Sequence, residues 1–68
     1  MRLRQIFADN LRRIRLERDL SQEALADLAG IDRTYVSALE RERYSVSLDT
    51  IEKLAGVLKV APHELLTP

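Results

Sequence analysis

With 68 residues the chain is sized for one small domain, and a domain of that size buries only about 60% of the surface its unfolded form exposes, so every element must share one core. It contains no cysteine, which excludes a disulfide framework, a thiolate metal site and a thiol nucleophile, and agrees with a reducing cytoplasm. Eleven basic and eleven acidic side chains cancel to zero formal charge, which counts against a nucleic-acid partner unless the arginines share a face.

Strand-like alternation of β-branched and aromatic residues is missing, so helices should dominate. Phe7, Leu11 and Ile14 form one apolar stripe and predict a first helix from about Arg4 to Arg18, ending near Asp19. Ser21 is a good N-cap for a second helix whose inward residues are Leu25, Ala26 and Ala29. Gly30 then stops it, with Ile31 as the buried residue that follows. Asp32 caps a third helix to about Arg41, with Val36 and Leu39 inward, Tyr35 partly covered and a polar outer face. Ser47 caps a fourth, to about Leu58, with Ile51, Leu54, Ala55 and Leu58 at core spacing and Leu48 at its entrance. Pro62 opens a short fifth helix to Leu66. The expected architecture is therefore all-α, five helices in a single domain over residues 1–68, with no residues left for a linker or repeat.

The informative segment runs from Ser21 to Arg41: a short capped helix, a tight turn at Ala29-Gly30-Ile31, and a second helix with a polar flank. That is the layout of a helix-turn-helix, in which the second helix fits the DNA major groove. Arg2, Arg4, Arg12, Arg13, Arg15 and Arg18 face only Asp9 and Glu17 in the first eighteen residues, and Arg33, Arg41 and Arg43 cluster further on. The charge is thus unevenly spread, and its placement on the surface decides whether DNA is a partner.

The stretches Leu20-Ser21-Gln22-Glu23-Ala24-Leu25-Ala26, Ala29-Gly30-Ile31, Tyr35-Val36-Ser37 and Leu39-Glu40-Arg41 resemble the phage-repressor and Cro-type (XRE) helix-turn-helix family over nearly the whole chain. Within it, Asp32-Arg33-Thr34-Tyr35-Val36-Ser37 followed by Glu40-Arg41 is similar to controller proteins of restriction-modification systems. The resemblance implies a lambda-repressor-like fold and a homodimeric transcriptional regulator. The chain departs from the family pattern at Asp19 and Glu42, turn positions where glycine is frequent, at Tyr44-Ser45-Val46, and at Ala61, where a Ser or Asp cap is expected.

Arg33 and Thr34 lie in the first turn of the expected recognition helix, the part that reaches base edges, and arginine donates two bonds to guanine. Ser37 and Ala38 are expected one turn further along the same flank, Ala38 against a thymine methyl. Tyr35 can put its hydroxyl on a phosphate or simply pack. Arg41, Arg43 and Tyr44 follow the helix and are candidates for gripping the DNA backbone; the alternative is that Glu40-Arg41-Glu42-Arg43 pairs with itself in solvent. Gln22 is implied by the resemblance to contact phosphate and brace the reading helix, and Arg15 with Glu40 to form an ion pair behind the DNA-facing surface.

A single recognition helix covers few base pairs, so specificity calls for two copies on an inverted repeat. By resemblance, the dimer interface comes from the last two helices, with Val46, Val57, Val60, His63 and Leu66 as candidates. Double-stranded DNA is the expected partner. RNA polymerase is a further candidate, through Glu23, Asp27 and Leu28 on the outer side of the second helix. His63 has no second His or Cys at ligand spacing, so neither metal nor cofactor is expected. No apolar run approaches the roughly 18 residues of a membrane span, and Met1-Arg2-Leu3-Arg4-Gln5 lacks a signal-like apolar stretch, which points to the cytoplasm and its nucleoid. A phage repressor or antitoxin of the same fold, and a protein-interaction module that binds no DNA, stay open as alternatives. An enzyme is disfavoured because no nucleophile and base pair is present to build on.

Overall fold

A computed structural model describes residues 2–68. Its elements are α1 (Leu3–Glu17), α2 (Gln22–Ala29), α3 (Arg33–Glu40), α4 (Leu48–Leu58) and a short 3-10 turn, η1 (Pro62–Leu65). The expected fifth helix is therefore a single 3-10 turn: Ala61 supplies no side-chain cap, and Glu64 compensates by accepting a 2.7 Å hydrogen bond from the Ala61 amide. No helix among the described residues is long and apolar enough to cross a membrane.

One core serves all five elements. Phe7, Leu11 and Ile14 of α1, Leu25 and Ala26 of α2, Val36 and Leu39 of α3, and Ile51, Leu54, Ala55 and Leu58 of α4 are buried together, and Leu65 of η1 closes the end. Leu65 is the residue that η1 sinks fully into the core, and Leu66, just after it, is half-buried at its edge. Ile31 is likewise half-buried, and Leu48, at the entrance to α4 as its first residue, is 81% exposed. Side chains cap three starts: Ser21 accepts from the Ala24 amide (2.9 Å), Asp32 from the Thr34 amide (2.8 Å) and Ser47 from the Thr50 amide (3.1 Å).

The helix ends share one device. Each α-helix is followed by a residue in the left-handed region, at Asp19 (φ 56°), Gly30 (φ 69°), Glu42 (φ 61°) and Lys59 (φ 60°). The next amide then reaches back to a carbonyl in the last turn: Leu20 to Arg15 (3.1 Å), Ile31 to Ala26 (3.0 Å), Arg43 to Ala38 (2.9 Å) and Val60 to Ala55 (3.1 Å). This is the Schellman pattern, which satisfies carbonyls that the helix leaves unpaired and turns the chain sharply. Only Gly30 adopts its φ without a Cβ penalty; Asp19, Glu42 and Lys59 carry that cost.

Candidate nucleic-acid interface

The Schellman turn at Gly30 and the Asp32 cap together fix how α3 leaves α2. Arg33 and Thr34 emerge exposed in its first turn, and Ser37 is half-buried one turn on. Ala38 does not join them. It is 4% exposed, and its carbonyl is also occupied, accepting from the Arg41 and Arg43 amides at 3.2 and 2.9 Å. Helical phase alone leaves Ala38 outward, whereas tertiary packing buries it. Ala38 is therefore withdrawn from the base-reading set.

The charge run after α3 is split between distant partners. Glu40 is taken by Arg15, whose Nε and Nη2 donate to its two carboxylate oxygens at 2.7 and 3.0 Å, with both side chains nearly inaccessible to solvent. Gln22 Nε2 adds a 3.1 Å bond to Glu40 Oε1, and Arg15 Nη1 donates to the Leu20 carbonyl at 2.8 Å. The Arg15 pKa is raised above its ordinary value, first by the hydrogen bond to Glu40, against desolvation, which lowers it. Glu42 is taken by Arg2, at 3.1 Å. Among the described residues, Arg33, Arg41 and Arg43 are exposed and make no ion pair. Zero net charge thus coexists with three uncompensated guanidinium groups on α3 and the loop after it.

Tyr35 and Tyr44 lie together, ring centroids 6.3 Å apart and planes tilted by 46°. Tyr35 is half-buried against the core and Tyr44 is 60% exposed, so the pair joins α3 to its following loop. Arg4 Nη2 also reaches that loop, donating to Ser45 Oγ at 2.7 Å. The Arg2 and Arg4 contacts, forty or more residues distant in sequence, have no local signal that pattern reading detects.

Of the residues expected at a dimer face, Val46, Val57, Val60 and Leu66 are half-buried at the edge of the core and His63 is exposed. Val46 and Leu66 line one shallow apolar groove with Leu3, Phe7 and Leu48. Glu23, Asp27 and Leu28 are exposed on the outer side of α2.

Residues 11–65 match the HTH_3 helix-turn-helix family. A hypothetical transcription factor of Neisseria meningitidis is 50% identical over 66 residues, covering 97% of this chain and 62% of its own length; its crystal structure superposes with a TM-score of 0.96. The restriction-modification controller protein C.AhdI of Aeromonas hydrophila is similar at a TM-score of 0.88 and 47% identity, over 91% of this chain and 94% of the controller. The controller protein C.Esp1396I, solved as a tetramer with its natural 35 base-pair operator, superposes at a TM-score of 0.84 with 28% identity, over 98% of this chain and 99% of that one. The chain thus spans about three-fifths of the Neisseria factor and nearly all of the two controllers. With its capped α2, left-handed glycine corner and outward α3, it belongs to the helix-turn-helix family that includes these controller proteins and the phage repressors.

Proposed function

We propose that the chain is a sequence-specific DNA-binding transcriptional regulator that works as a homodimer on an inverted-repeat operator, in the manner of a restriction-modification controller. The observation that carries this reading is the exposure of Arg33 and Thr34 on the first turn of α3 and of Arg41 and Arg43 just after its end, none of the three arginines being taken up by an ion pair among the described residues. In the major groove, Arg33 donates to guanine while Thr34 and Ser37 meet neighbouring base edges. Arg41, Arg43 and the hydroxyls of Tyr35 and Tyr44 hold phosphate, and Gln22 presents the start of α2 to the backbone, where unpaired amides favour an anion. Two copies related by a two-fold axis set their reading helices about 34 Å apart. The half-buried valines, Leu66 and the groove beside them supply the apolar surface for that contact.

The uncompensated guanidinium groups weigh against an interaction module that binds no DNA. On its operator in the nucleoid, the dimer either blocks RNA polymerase or recruits it. For recruitment, the candidate contact is the outer side of α2, where Glu23, Asp27 and Leu28 are exposed. Selection of duplexes from a random pool, followed by titration of the enriched sequence, tests the reading. A palindromic consensus bound two copies at a time is expected; a pool that enriches for nothing sinks it.

A further inference from the structure

The α1 side chains Asn10 and Arg18 donate to backbone carbonyls of the C-terminal segment, which presents most of the candidate dimer residues. Asn10 is a buried polar residue, 7% exposed, with no part in the DNA-facing surface. Its Nδ2 donates to the Leu65 carbonyl at 3.1 Å and to the Thr67 carbonyl at 2.9 Å, and its Oδ1 accepts from Arg13 Nη2 at 3.2 Å. Arg13 is in turn paired with Glu17 at 3.3 Å. Further along, Arg18 Nε donates to the Leu58 carbonyl at 2.9 Å, just before the left-handed Lys59. The anchored carbonyls, at 58, 65 and 67, interleave with Val57, Val60, His63 and Leu66. A 3-10 turn as short as η1 is not stable alone, so the bonds from α1 add to the burial of Leu65 in holding that face in shape.

We propose that Asn10 is a positioning residue for self-association. Its carboxamide latches the backbone around η1 to α1, so that Val60, His63 and Leu66 are held ready to meet a second copy before contact is made. Arg13 acts through it, because a donor on Oδ1 turns Nδ2 toward the two carbonyls. Preorganisation of this kind strengthens association by removing the ordering cost from the binding step. The inference rests on the homodimer reading above and adds the device that sets its interface.

The test compares the parent with Asn10→Asp, Asn10→Ala and Arg13→Ala. Asn10→Asp keeps the shape but puts an acceptor oxygen where Nδ2 donates to the two carbonyls; Arg13→Ala is a surface change that leaves the core intact and stays informative if the Asn10 variants fold poorly. Dimer dissociation is measured by sedimentation, and DNA reading by titration of a half-site duplex that admits one copy. The Asn10 variants are expected to raise the dimer dissociation constant about ten-fold, the loss of two modest hydrogen bonds, and Arg13→Ala about two- to three-fold. Half-site affinity stays at the parental value, and amide exchange speeds up at Leu66 but not in α3. Unchanged dimerisation in all three variants of a dimeric parent overturns the inference alone, as does a parallel loss of half-site binding. A parent that sediments as a monomer, even on operator DNA, overturns the homodimer reading as well.

Discussion

Arg15 of α1 and Glu40 at the end of α3 meet in a two-pronged, nearly solvent-free ion pair, with Gln22 of α2 donating to the same carboxylate. Three helices therefore converge on one side chain. Removing either charge strands the other in a dry site, so Arg15→Ala or Glu40→Ala is expected to destabilise the fold by about 3–5 kcal/mol, measured by urea unfolding. An apolar pair of matching size, Arg15→Met with Glu40→Leu, recovers most of that loss. The sign of the pH dependence follows from the raised Arg15 pKa. A raised value means the stabilisation is complete below the unfolded pKa and is lost only as pH rises through the folded one. Since both lie beyond the range of ordinary buffers, the Arg15 contribution stays flat through the alkaline limb of a stability profile.

The left-handed helix ends predict opposite outcomes for glycine exchanges. Gly30→Ala is expected to cost about 1–2 kcal/mol through backbone strain alone, since no atom lies within 4 Å of the added methyl group. Lys59→Gly and Asp19→Gly should each stabilise by about 0.5–1 kcal/mol in thermal melts. Glu42→Gly gains less, because it also gives up the exposed pair with Arg2.

Arg33→Ala should relax sequence preference. A two-bond contact to guanine discriminates by about 1–3 kcal/mol per site, so competition between the selected operator and a variant at that base pair should lose most of its ratio. The melting temperature should hold, since Arg33 is exposed and makes no ion pair.

Arg43→Ala, by contrast, should weaken binding to all duplexes alike and reduce the slope of log affinity against log salt by about one unit per protomer. Tyr35→Phe keeps the ring against Tyr44 and removes only the hydroxyl, so a loss of affinity at unchanged melting identifies a phosphate contact.

Much of this was legible because local rules dominate a helical domain. The Phe7, Leu11 and Ile14 stripe, the Ser21, Asp32 and Ser47 caps and the Gly30 stop all act within a few residues, and each appears in the fold. What escaped reading depends on tertiary placement. Ala38 is buried by tertiary packing that helical phase cannot foresee. Leu65 ends a 3-10 turn and Leu66 follows it, so the α-helical period no longer selects which one faces in. Asn10 looks like a surface residue until the carbonyls it serves, more than fifty positions away, are brought beside it.

On α3, the positions that look outward and those that anchor the helix do not overlap: Arg33 and Thr34 face solvent, while Val36, Leu39 and the Glu40 carboxylate are locked inside. Mutational drift at the former leaves the chassis untouched. On the proposed base-reading role of Arg33 and Thr34, a lineage built on this plan is retargeted from one operator to another by single exchanges, without passing through an unfolded ancestor.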